Sequence, residues 1–418
     1  MRVPEAYRRL LARPQMRLLL AGIGVSSLGD GISTVTIAWL AVRIAPTELL
    51  GLFVGLAIAA YTLPGVIGAL AFGGILRGRP ARALVLAHCL LRASCLGLIA
   101  VLAVIGALTP PAYLVLLAAS SLMAAWGNAG EYTMLSALAG ASGRFAVNSL
   151  ASAQASFAFI IGPVVAGVLL ATISPGWLLL LDAISFAILG VAAWLTRTDA
   201  GATDNPVDLQ AAGSGFRLLR RRDLLGLTVV TWVFFFLYGP VEVALPVHVA
   251  HDLQAPAQLL AAYWTAFGVG ALASNLVTGA LRTGNMRQVT LLIVAGWGAC
   301  LLPFSGAPVP VTVIFFAIGG VVYGPFVPLT YALFQSATAT ERLPSVLAAR
   351  SAVIMVSTPL GTALGGPMVG ALGGTATLVA SGLATLLLAV AGAVFWREPG
   401  QNMTGTAISG PTSGTLPG

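Results

Sequence analysis

Long apolar runs follow one another along this chain, and its few charged side chains stand mostly at the joints between them. Only 8% of the 418 residues are charged, and all 21 basic ones are Arg. A charge at the bilayer centre costs about 2.5–3.5 kcal/mol even on the lenient insertion scale. The pattern therefore places most of the chain in lipid. A spanning helix needs about 20 apolar residues. Runs of about that length or longer fall at 16–43, 49–75, 83–108, 111–138, 148–172 and 176–196, then at 224–249, 257–281, 288–306, 309–335, 346–371 and 375–396. The expected fold is all-α and integral to the membrane, with twelve transmembrane helices in two six-helix, pseudo-symmetric halves.

The halves are separated by the one long polar connection, Arg197 to Arg222, which holds Asp199, Asp204, Asp208 and the cluster Arg217, Arg220, Arg221 and Arg222. The expected units are an N-terminal half over 1–197, a cytoplasmic linker over 198–222, a C-terminal half over 223–397, and a disordered cytoplasmic tail over 398–418. The tail is rich in Gly, Ser, Thr and Pro. The halves echo each other: Gly74 to Arg77 with Arg82 matches Gly279 to Arg282 with Arg287, and Arg144 and Gly162 match Arg342 and Gly361. A parallel repeat of two six-helix halves suits a rocking transporter with its site where the halves meet.

Arg placement sets the expected orientation. The joints with Arg8, Arg9, Arg13 and Arg17, with Arg77, Arg79 and Arg82, and with Arg144, Arg282, Arg287, Arg342 and Arg397 all fall on one side. The joints near Pro110, Pro175, His251, Pro308 and Gly373 lack Arg, and only Arg43 lies near that side. The positive-inside rule makes both termini cytoplasmic, in the cell membrane. The Arg-rich start resembles a secretion signal, but its apolar run continues from Leu18 past Asp30 to Val42, which fits a retained first helix better.

Several function classes are disfavoured. The net charge of +8 forms no aromatic-interleaved patch, so nucleic acid is not an expected partner. Cys89, Cys95 and Cys300 have neither disulfide nor metal spacing. No Asp-x-x-x-Asp cluster is present, and His88, His248 and His251 are too scattered for an enzyme site. Without Lys there is no Gly-x-x-x-x-Gly-Lys nucleotide loop. No catalytic residues, cofactor or metal are expected.

Four stretches carry a resemblance over about 16–397: Leu28-Gly29-Asp30; Ala146 to Leu150 leading into Gly162-Pro163 and Gly167; Leu181 to Phe186; and Glu242 to Pro246. In these the chain resembles the major facilitator superfamily, in the branch of macrolide-efflux-like and related drug:proton antiporters. The resemblance implies two halves rocking about a substrate held near mid-depth. Gly162, Pro163 and Gly167 are similar to that branch's antiporter motif. Physically, small residues permit close helix approach and Pro163 bends the helix, so ordinary packing explains them as well. The loop Gly73 to Arg82, with Gly74, Arg79 and Arg82, is similar to the superfamily's loop between helices 2 and 3. The family has an acid where Gly78 stands, and that acid helps to hold one conformation; Glu341 is a candidate substitute.

Interior ionisable groups are the leading site candidates. Asp30 lies thirteen residues beyond Arg17, roughly 20 Å along a helix, where a carboxylate must be protonated or paired. It is the expected proton-coupling residue; a structural carboxylate bonded to Ser26, Ser27 or Thr34 is the alternative. Glu242, between Pro240 and Pro246, is a second titrating candidate or a rim carboxylate. Arg92 needs a partner, Asp30 or Glu131, and His88 stands one turn before it. Asn128 and Glu131 are candidates for the substrate cavity, as is Tyr238, which aligns with Asp30 in the repeat. Asp182 reads as structural. Among the aromatics, Trp39, Phe157, Trp232, Phe235, Trp264 and Tyr323 fit a cavity wall or, more commonly, packing.

The expected function is secondary active export of an amphipathic, mainly apolar small molecule, such as a drug, antibiotic or siderophore-like compound, by proton antiport. Expected partners are substrate, protons and lipid, with the chain acting as a monomer. An uncoupled facilitator or uptake carrier is the alternative; a non-transporting membrane sensor is the alternative of another class.

Overall fold

The computed structural model describes residues 8, 10–76, 78–140, 143–197, 215–278, 285–339 and 342–397. In lipid the backbone must satisfy its own polar groups, and these apolar runs do so as helices. The first half contains α1 (Pro14–Ile44), α2 (Leu50–Ala71), α3 (Ala81–Val104), α4 (Pro110–Ser121), α5 (Ala124–Ala139), α6 (Arg144–Leu169) and α7 (Pro175–Leu195). The second contains α8 (Arg222–Val247), α9 (Ala257–Thr278), α10 (Met286–Leu301), α11 (Val309–Tyr323), α12 (Phe326–Ser336), α13 (Leu343–Met355), α14 (Ser357–Leu372) and α15 (Gly374–Arg397). Pro opens α1, α4 and α7, where its missing N–H costs nothing. The pairs α4–α5, α11–α12 and α13–α14 each form one span broken near its middle. Eleven spans meet the length and apolarity needed to cross a membrane, and α9, 22 residues long, packs among them as the twelfth. The protein is a multi-pass membrane protein.

The two halves share one packing plan. In the first, α1 packs on α6 and α7, and α3 on α7; in the second, α8 packs on α14 and α15, and α10 on α15. Two glycine contacts occupy matching places. A Cβ on Gly162 would stand 2.5 Å from Gly31 Cα, and one on Gly239 would stand 2.7 Å from Gly361 Cα. Asp30 and Tyr238 each precede the glycine of such a contact, so they are equivalent by position, as the repeat in the sequence implies.

The halves meet along two seams. On one, Gly51 and Gly55 of α2 lie against Gly366 and Gly370 of α14: a Cβ on Gly55 would come within 2.7 Å of Gly366 Cα. On the other, a Cβ on Gly167 of α6 would come within 2.6 Å of the Ala261 side chain of α9. Both seams lie toward the face away from the start of α1 and the end of α15. There, one buried apolar cluster runs through both halves, from Val35 and Phe53 to Phe234 and Leu260. Toward the other face each half has its own cluster, around Met16, Val85 and Val147 in one and Leu224, Phe334 and Val346 in the other. The halves thus close on one face and part on the face where α1 begins and α15 ends.

The described end of the expected linker is more ordered than a polar connection requires. Residues 215–219 are helical, Gly215 packs on Ser345, and Leu219 joins the second half's cluster. Asp199, Asp204, Asp208 and the tail lie outside the described residues, as do Arg77, Arg282 and Glu341.

Candidate functional site

Helix α1 carries Asp30, α2 carries Tyr61 and α3 carries Arg92, and the bundle brings the three together. Arg92 Nη2 donates to Asp30 Oδ1 and to the Tyr61 hydroxyl. Tyr61 in turn donates to the same carboxylate oxygen at 3.0 Å. The guanidinium also lies over two rings, 4.7 Å from the Tyr61 centroid and 4.6 Å from that of Phe186 on α7. Stacking of this kind suits Arg, whose planar ion is weakly hydrated. Burial is unequal: the Arg92 side chain is 7% exposed and that of Asp30 47%. The carboxylate opens onto a cavity while its cation stays in the protein. Of the two partners open to Arg92, the structure selects Asp30.

That cavity, about 220 Å³, lies within the first half, on the side where α1 begins. Ser26, Ser27 and Asp30 of α1 line it, with Asn128, Glu131 and Tyr132 of α5 opposite. Both expected α5 residues therefore face Asp30 across one space. Among the described residues Glu131 has no ion-pair partner. Neither Ser26 nor Thr34 bonds the Asp30 carboxylate; each returns its hydroxyl to its own helix backbone. His88 packs edge-on against Phe186 at 5.4 Å, closely over Gly127. Asp182 is fully buried behind this site, accepting from Ser33 at 2.5 Å and Ser185 at 3.1 Å.

A second cavity, about 180 Å³, lies between the halves. Ser33, Thr34, Ile58, Tyr61 and Thr62 line one side, with Glu242 and Trp264 of the second half on the other. Glu242 Oε2 accepts from Thr362 Oγ1 at 3.2 Å. Tyr61 serves both places: its hydroxyl holds Asp30, and its side chain walls the cavity that contains Glu242. Tyr238 is placed differently from Asp30. It is buried in an aromatic cluster, 5.4 Å from Tyr323 and 5.7 Å from Trp297, and lines neither cavity. The equivalent position in the second half is thus filled with rings, where the first half has an ion pair.

A model of the Major Facilitator Superfamily matches residues 19–241 and 227–417. The chain belongs to this superfamily. It is 30% identical over 275 residues to "Multidrug efflux pump Tap" of Mycobacterium tuberculosis, a match covering 61% of this chain and 64% of that protein. It is 29% identical over 398 residues to the protein of the same name from Mycolicibacterium fortuitum, covering 91% and 95% of the two chains. Among solved structures it is similar to the nucleoside transporter NupG, with a TM-score of 0.68 and 14% identity over 91% of this chain and 100% of that one. A D-xylose-proton symporter gives 0.66 at 15% identity over 91% and 96%.

Gly74 lies in the single turn Gly73–Leu76, and exposed Arg79 turns back to the Ile75 carbonyl at 3.5 Å. Arg82 donates to the Trp194 carbonyl at 2.5 Å, tying α3 to the end of α7. Gly78, where the family has an acid, has φ of +80°, a backbone conformation that favours glycine. Pro163 remains inside α6, between the Gly162 contact and the Gly167 seam.

Sequence reasoning missed Tyr61, Thr362 and Arg350. Tyr61 and Thr362 carry no charge and look like many other polar residues in apolar runs. Arg350 does stand out in its run. It is buried on α13, donates to Thr330 Oγ1 at 3.2 Å, and lies 4.0 Å from the Tyr331 ring centroid.

Proposed function

We propose that the protein is a proton-coupled exporter of amphipathic small molecules bearing a positively charged amine. The observation that carries this reading is the Asp30–Arg92 pair, whose carboxylate is open to a cavity while its cation is not. A proton reaching Asp30 removes the charge that holds Arg92 and Tyr61, so proton occupancy changes how α1, α2 and α3 are tied. Glu131 and Glu242, unpaired with any base among the described residues, make the cavities attractive to an organic cation. Ile58 and Trp264 offer apolar and aromatic surface to the rest of such a molecule. This sharpens the expectation of a mainly apolar substrate, because the charges that are present favour one sign.

The efflux pumps named above support the direction of transport. The face where α1 begins, with the Arg-rich joints, is cytoplasmic in this reading, in the cell membrane. Substrate then enters from the cytoplasm between the parted halves, and rocking about the glycine seams exposes it on the other side. The test is ethidium efflux from proteoliposomes under an imposed pH gradient. Wild type should respond to the gradient and Asp30→Asn should not. Equal, gradient-independent flux in both would remove antiport and leave the facilitator.

A further inference from the structure

Helix α2 touches both candidate proton sites. At one end, Gly51 and Gly55 form the seam with α14, and a Cβ on Gly55 would stand 3.3 Å from the carbonyl oxygen of Thr362, the residue whose hydroxyl holds Glu242. Six residues further on, roughly 9 Å along the helix, Tyr61 binds the Asp30–Arg92 pair. Between them Ile58 lines the cavity between the halves, and Pro64 lies one turn beyond Tyr61. A rigid helical segment thus connects the Asp30 carboxylate to the contact that closes the molecule.

We propose that Tyr61 is the coupling residue: its hydroxyl reads whether Asp30 is charged, and α2 carries that state to the Gly55–Gly366 seam. With Asp30 anionic, the carboxylate accepts from Tyr61 and Arg92 together, so α2 is fixed to α1 and α3. With Asp30 protonated, the carboxyl group gains a donor of its own and the shared acceptor weakens. Arg92 keeps its stack on Tyr61 and Phe186, but α2 is no longer fixed by a charged acceptor. The titratable and charged groups around this point are Asp30 from α1, His88 and Arg92 from α3, Glu131 from α5, Asp182 from α7 and Glu242 from α8. Among the described residues, Tyr61 is the one that hydrogen-bonds both side chains of the ion pair and also borders the cavity with Glu242. The role rests on Asp30 being the proton site proposed above.

The test uses the full-length protein in proteoliposomes, with spin labels at Glu48→Cys and His251→Cys, exposed positions in different halves on the closed face. Their distance is measured in mildly acidic and mildly alkaline buffer, alongside ethidium efflux with and without a pH gradient. Tyr61→Phe keeps the ring on Arg92 and loses only the hydroxyl. The expected result is a pH-dependent distance in wild type that is lost in Tyr61→Phe, with the ratio of gradient-driven to gradient-free efflux falling about tenfold. Gly55→Ala, which wedges the other end of the segment, should also remove the distance change. A full wild-type response in Tyr61→Phe overturns the coupling role and leaves antiport at Asp30 standing. A wild type whose distance and efflux both ignore pH removes the antiport reading, and the role of Tyr61 with it.

Discussion

The Ser33 hydroxyl on α1 donates a 2.5 Å hydrogen bond to the Asp182 carboxylate on α7, which is fully buried. Gly29, one turn earlier, makes room for the Asp182 and Ser185 side chains. This carboxylate therefore joins two helices instead of facing a cavity. Asp182→Ala is expected to strand the Ser33 donor and lower stability by about 1–2 kcal/mol. A lower thermal unfolding midpoint in detergent, with efflux per folded molecule retained, is the expected pairing. Loss of efflux without loss of stability would move Asp182 into the transport site.

The close contact of Gly31 with Gly162 predicts a position-specific cost. Valine at 162 would drive carbon into the Gly31 backbone, and overpacking of that kind costs about 1–3 kcal/mol. Alanine at Gly370, also helical, meets nothing within 4 Å. Gly162→Val should lower the unfolding midpoint, and Gly370→Ala should leave it unchanged or slightly raised. The contrast separates a required close approach from general dislike of side chains at helical glycines.

The span pattern and the site's charges were legible because lipid penalises exceptions. Asp30, Arg92, Glu131 and Glu242 stand out as charges within apolar runs, and Arg350 is as visible by the same rule. Pairing was less legible. Whether Arg92 meets Asp30 or Glu131 depends on the depth and rotation of three helices, which a run of apolar residues leaves open. Tyr61 was hidden for a different reason, since tyrosine commonly anchors helices at the membrane interface. The repeat located Tyr238 opposite Asp30 but could not show that its surroundings are aromatic. Gly78 acquires its reason only from the backbone, where φ of +80° favours glycine over the family's acid.

Arg92 predicts that charge alone is insufficient. Its guanidinium donates from one nitrogen to Asp30 and Tyr61 while its plane stacks over two rings, and that stacking of a planar ion is what an ammonium cannot reproduce. Arg92→Lys should therefore fall close to Arg92→Ala in gradient-driven ethidium efflux, with both well below wild type. Recovery of wild-type efflux by Lys would reduce the site to a simple positive charge.

Glu242 predicts substrate discrimination more than folding. Gln at this position still offers an oxygen to the Thr362 hydroxyl, so the local bond survives while the negative charge is lost. The cavity wall, with Tyr61 and Trp264, remains. Glu242→Gln is thus expected to weaken binding of a cationic probe such as ethidium by about tenfold, or about 1.4 kcal/mol. A neutral lipophilic probe of similar size should bind as before. Fluorescence titration of the purified protein with each probe gives the comparison. Equal losses for both would mean that Glu242 shapes the cavity, whereas a loss confined to the cation would assign it the choice of charge.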